Sequence, residues 1–144
     1  MLEVDLYIVA SNDQVYVPEL SSKKYVEGQG CYLLMLNGYK KGFFLPTNEL
    51  TPNRVMLACL LDAVHTLTKP CKVNVYTRGL IGEKSFHKPK WRHYDLSSQY
   101  LNLVQEKQIE CEFIVDNNHL LLLALKEELM KAKNLGLGVK QQII

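Results

Sequence analysis

The chain has 144 residues, of which 47% are hydrophobic and 22% charged, and its 17 Lys and Arg against 15 Asp and Glu leave a net charge of +2. That composition argues against wholesale disorder and against a surface positive enough to bind nucleic acid by charge alone. No apolar run, Leu120–Leu125 among them, approaches the roughly 20 residues of a membrane helix, and the start Met1-Leu2-Glu3-Val4-Asp5 is acidic where a signal peptide is basic. The expectation is a cytoplasmic protein with one domain over residues 1–144 and no contact with membrane.

From the N-terminus, Leu2, Val4, Leu6 and Ile8 alternate with Glu3, Asp5, Tyr7 and Val9, the period of a strand, and Ser11-Asn12-Asp13 breaks it. Val15-Tyr16-Val17 suggests an edge strand within a loop that includes the polar Ser21-Ser22-Lys23-Lys24. Cys31–Leu36 and Tyr39–Leu45 are apolar runs divided by Asn37-Gly38, a pair suited to a type I′ turn because both residues tolerate positive φ, so they predict a hairpin.

Thr51 can cap a helix that Pro52 opens, and Leu57, Leu60, Leu61 and Val64 fall on one face of it as far as about Thr68. Met56, Cys59 and Ala63 make its other side apolar, which predicts an enclosed helix. Cys71–Thr77 alternates as a strand. Leu96, Tyr100, Leu103 and Val104 mark a second helix, Ile109–Val115 a further strand, and Asp116 or Asn117 caps a last helix to about Lys133. The order implies an α/β fold with a mixed five-stranded sheet, an antiparallel hairpin of first strands followed by parallel ones, covered by helices. Cys31, Cys59, Cys71 and Cys111 lack metal-site or redox spacing and read as reduced core residues.

Thr51-Pro52-Asn53-Arg54-Val55-Met56-Leu57-Ala58 and the strand ending Tyr76-Thr77 resemble the type 1 ribonuclease H family, whose matching stretches read T-x-N-R-x-E-L-x-A and Y-T-D-S. Lys88-Pro89 with Tyr94-Asp95-Leu96, and Gln108-Ile109-Glu110-Cys111-Glu112-Phe113, resemble the family's K-P-V-x-N-x-D-L-W and Q-I-x-W-x-W. The resemblance implies a ribonuclease H-like fold. It also implies, as family chemistry, hydrolysis of the RNA strand of an RNA–DNA hybrid by two divalent ions, which carboxylates must hold.

The family's four acidic positions fall here on Val9, Met56, Arg78 and Glu127, so one acid remains and a permanent cation sits where a metal ion would bind. With family geometry, Arg78 would pair with Glu127. Asp5 lies about 13 Å from Val9 along a strand, too far to serve the same ions, and Asp13, Glu49 and Asp62 reach the site only by an unexpected loop path. His119 stands two residues late for the family histidine and reads as a capping residue. These departures predict no metal, no cofactor and no enzyme activity, with Mg²⁺ implied only if relocated ligands support a weak ribonuclease.

Affinity for nucleic acid needs no metal, because cations and backbone amides supply the phosphate contacts. Two regions are candidates. Thr51, Asn53 and Arg54 match family positions beside the hybrid, although a cap and local hydrogen bonding explain them equally. The segment 84–93 carries Lys84, Lys88, Lys90 and Arg92, with Trp91 as a stacking ring. The expected function is binding of an RNA–DNA hybrid or duplex, and the alternative is a protein-interaction or homodimerisation scaffold.

Overall fold

A computed structural model describes residues 2–11 and 28–144. Val15-Tyr16-Val17, Ser21-Ser22-Lys23-Lys24 and Asp13 lie outside the described residues. The elements are β1 (Leu2–Ala10), β2 (Gln29–Leu36), β3 (Tyr39–Pro46), α1 (Pro52–Thr66), β4 (Cys71–Thr77), α2 (Tyr94–Lys107), β5 (Ile109–Val115), α3 (Leu120–Asn134) and β6 (Gln141–Gln142).

The sheet order is β5-β4-β1-β2-β3-β6. β1, β4 and β5 run parallel, while β1–β2, β2–β3 and β3–β6 are antiparallel. The mixed α/β architecture is the expected one. The sheet has six strands rather than five because two residues near the C-terminus, too few to show any alternation, pair with Phe43 and Phe44. Asn37 and Gly38 take φ of 49° and 84°, the pair of positive values that the hairpin turn needs.

Period-2 alternation along β1 divides the core between the two faces of the sheet. Val4, Leu6 and Ile8 pack with α1 and with Tyr100 of α2. Tyr7 and Val9 pack instead with Leu122, Leu125 and Leu129 of α3. Fully burying one such side chain contributes about 1.5–3 kcal/mol, so α1 and α3 are held mainly by the sheet beneath them.

α1 begins as its sequence predicts: the Thr51 hydroxyl accepts the Arg54 amide at 3.4 Å, and Pro52 occupies the first turn. It stops at Thr66, two residues early, because Leu67 is extended. Lys107 donates to the carbonyls of Val64, His65 and Leu67 at 2.8–3.0 Å, capping the helix end from α2.

α3 does not begin at Asp116 or Asn117. The Asp116 carboxylate accepts the Asn118 amide at 3.1 Å, which commits it to its own turn. The cap is His119, whose Nδ1 accepts the Leu121 amide at 3.1 Å. All four cysteines are free; Cys31, Cys59 and Cys71 are buried and Cys111 is half-buried.

Candidate functional site

The carboxyl ends of β1 and β4 lie side by side, with Ile8 paired to Thr77, and the first turn of α1 closes over them. Open α/β sheets bind ligands in this kind of crevice. Here it is a cavity of about 360 Å³ whose walls include Val9, Asn53, Met56, Arg78, Leu80 and Asn117. Three of the four positions implied by the resemblance therefore meet in one pocket.

Glu127 does not join them, and the expected pair with Arg78 does not form. Leu122, Leu125, Leu129 and Ala132 turn one face of α3 to the sheet, and Glu127, two residues past Leu125, is carried to the exposed side. Its neighbour Lys126 instead donates to the Ala10 carbonyl at 2.6 Å.

Arg78 is half-buried and its Nε is fully withdrawn from solvent with no hydrogen-bond partner. Among the described residues, no carboxylate pairs with it. Arg54 is the opposite case. It donates to both oxygens of Glu49 and to both oxygens of Asp95, and its Nη1 lies 3.4 Å from His93 Nδ1.

The Arg54 hydrogen bond holds the Asp95 carboxyl below its ordinary range. Burial first, and then the Arg54 and Arg92 charges, push the His93 imidazole down. Asn53 donates to the carbonyls of Leu80 and Ile81 at 3.3 Å, tying α1 to the chain beyond β4. Thr51, Asn53 and Arg54 thus all serve local structure, as cap, tie and ion-pair centre.

The connection from β4 to α2 carries the second candidate group. Lys84, Lys88, Lys90 and Arg92 are exposed, and among the described residues no carboxylate pairs with any of them. Trp91 is half-buried, with its ring centroid 5.7 Å from Phe86 and 4.9 Å from His93. Gly82, at φ 90°, runs so close under the indole that a Cβ there would lie 2.7 Å from it. The Ser97 hydroxyl donates to the Phe86 carbonyl at 2.7 Å. Trp91 therefore anchors the connection, which presents its cations from a fixed base.

Across the sheet, Tyr7 and Tyr76 stack at 4.7 Å, and His119 leans on both at 5.1 and 5.2 Å. Burial, with the Asp5 and Tyr76 charges adding to it, pushes the Tyr7 hydroxyl up to about 12. Asn74 bridges the carboxylates of Glu3 and Asp5 at 2.8 and 3.0 Å. Among the described residues, no group of three or more His, Cys, Asp or Glu could hold a metal ion.

No family model matches the chain. A stretch of 61 residues is 34% identical to a ribonuclease H of Nitrosospira multiformis, covering 42% of this chain and 38% of that protein. Among solved structures, LC9-RNase H1, described as a type 1 RNase H with the type 2 active-site motif, superposes with TM-score 0.69 at 12% identity over 99% of this chain and 78% of its own. The N-terminal RNase H domain of a Mycobacterium tuberculosis protein, solved as a fusion with maltose-binding protein, gives TM-score 0.64 at 14% identity over 94% of this chain and 99% of its own. The chain has the ribonuclease H fold.

These likenesses overturn one expectation. The absence of enzyme activity does not stand, because the protein similar in sequence carries the name of an enzyme and no feature of the structure demonstrates inactivity. The pocket bears on a different point, its ligand. Paired Mg²⁺ ions need converging oxygen ligands. Two apolar walls and a guanidinium with an orphaned Nε do not fit them.

Proposed function

We propose that this ribonuclease H-like chain binds a nucleic-acid duplex, with an RNA–DNA hybrid as the first ligand to test, through the connection between β4 and α2. One observation carries the reading: Lys84, Lys88, Lys90 and Arg92 are exposed on a connection that Trp91 and Phe86 pin down, and no carboxylate among the described residues neutralises them. Unpaired cations on a stiff support suit phosphate, because their side chains lose little of it to internal partners. The ribonuclease H fold supports a nucleic-acid role in general terms. Residence in the cytoplasm belongs to the same proposal, and the four free thiols suit a reducing compartment.

The test is fluorescence anisotropy with a labelled RNA–DNA hybrid at low salt, comparing the natural chain with a Lys88→Ala/Lys90→Ala/Arg92→Ala variant. The expected result is saturable binding that weakens at least ten-fold in the variant, about 1.4 kcal/mol. Undetectable binding, or equal binding by the two, overturns the proposal; self-association in sedimentation would then favour the interaction scaffold. Gel analysis of the same samples with Mg²⁺ or Mn²⁺ reads cleavage of the RNA strand directly.

A further inference from the structure

We propose that the pocket between β1, α1 and the turn after β4 is an anion site, and that Arg78 holds a phosphoryl group there. For the source of that group the inference rests on the nucleic-acid reading; for the site it rests on the pocket alone. The chain treats its two buried-side arginines differently. Arg54 is saturated by Glu49 and Asp95, whereas Arg78 borders an open cavity with a buried Nε that donates to nothing. Arg78 lines the cavity and has no carboxylate partner among the described residues, so its charge is left for an anion there.

Phosphate suits this geometry, because a guanidinium presents a fork of N–H groups that two oxygens of one phosphoryl group can accept together. The surroundings favour the same ligand. Val9 and Met56 make part of the wall apolar, which strengthens attraction between unlike charges. Pro52 has no amide hydrogen and Thr51 accepts the amides of Arg54 and Val55, so Asn53, itself on the wall, supplies the amide of the first turn that has no acceptor within the helix. A cavity of about 360 Å³ lies in the range of small-molecule sites and leaves room beyond the phosphoryl group.

The experiment follows the Arg78 guanidinium resonances by NMR while inorganic phosphate is added to the whole chain. The expected result is a saturable shift, and phosphate affinity at least ten-fold weaker in Arg78→Gln. Removing an unpartnered donor should leave the melting temperature of that variant no lower than the natural one. If Arg78→Gln does not fold, Arg78→Lys, which keeps the charge and loses the fork, should weaken phosphate binding while remaining folded. The Lys88→Ala/Lys90→Ala/Arg92→Ala variant should bind inorganic phosphate within two-fold of the natural chain, so that the pocket and the duplex reading fail separately.

Oligonucleotides with and without a 5′-phosphate distinguish the sources. Tighter binding of the phosphorylated strand identifies a terminal monoester, and equal binding of both that is lost in Arg78→Gln identifies an internal diester. Either result supports the site. Arg78 guanidinium resonances that phosphate does not move, undiminished phosphate binding by Arg78→Gln, or Mn²⁺ broadening centred on Val9 and Met56 would overturn it.

Discussion

Two side chains beside the first turn of α1 show how environment decides what a charge can do. Arg54, 22% exposed, spends its donors on Glu49 and Asp95, and the positive charge it brings close to His93 helps to keep that imidazole neutral. The consequence for pH has a definite sign. Because the folded His93 resists protonation, the unfolded chain takes up a proton near the ordinary value of 6.5 that the folded chain refuses, so stability falls as pH drops below it. Asp95, held low by Arg54, adds stability that is fully present above 3.8 and is lost only in stronger acid. Between pH 7 and pH 5 the decline therefore belongs to His93. Thermal melts should show a falling midpoint over that window, flattened in His93→Gln; equal slopes in the two proteins would remove the argument.

Gly82 offers a second prediction at this scale. An alanine there meets both an unfavourable φ of 90° and the Trp91 ring at 2.7 Å. Gly82→Ala should cost about 1–3 kcal/mol. Because Trp91 is the single tryptophan of the chain, its fluorescence should shift to the red as the ring leaves Phe86.

At the scale of elements, α1 depends on its cap as well as its core. Thr51→Ala removes the hydroxyl that accepts the Arg54 amide and should cost about 1 kcal/mol, measured by denaturant unfolding with an unchanged slope. Elements of this kind were legible in the sequence. β1, β4 and β5 show their period because Val4, Leu6 and Ile8, Val73 and Val75, and Ile109 and Cys111 turn to the core under α1 and α2 with Asp5, Asn74 and Glu110 among the residues between them, and Asn37-Gly38 names its own turn. β6 was illegible because Gln141-Gln142 has no pattern and gains its partner only when β3 exists. The start of α3 was misread because Asp116 satisfies the amide of its own turn, so the helix waits for His119.

The site divides in the same way. Val9, Met56 and Arg78 converge as the resemblance implied. Glu127 does not, and the spacing of Leu122, Leu125, Leu129 and Ala132 already contained the signal that it faces away. The neutralisation of Arg54 by Asp95 spans 41 positions, a contact that no local pattern encodes.

For the whole molecule, a net charge of +2 conceals a separation of charge. Lys72, paired with Glu112, stands on the outer surface of β1, β4 and β5 among Glu3, Asp5, Glu110 and Glu112, where register sets Glu3 beside Lys72 and Glu110 and Asp5 beside Asn74 and Glu112. Lys84, Lys88, Lys90 and Arg92 of the β4–α2 connection lie on the other side, where Phe86 and Trp91 root them in the core shared with α1 and α2. A duplex approaching the acidic surface is repelled, so binding should be oriented and should draw on few phosphates.

Counterion release makes that count measurable. Four phosphate contacts correspond to a slope of about −3.6 in a plot of log K against log salt, and the Lys88→Ala/Lys90→Ala/Arg92→Ala variant should retain a slope of about −0.9; an internal diester held by Arg78 adds one contact and brings the two slopes to about −4.5 and −1.8. Glu110→Gln/Glu112→Gln, on the opposite surface, should raise affinity slightly at low salt without changing the slope by a full unit. A slope steeper than about −7 in the natural chain would require roughly twice as many contacts as this connection supplies, and would place a large part of the binding surface elsewhere on the molecule.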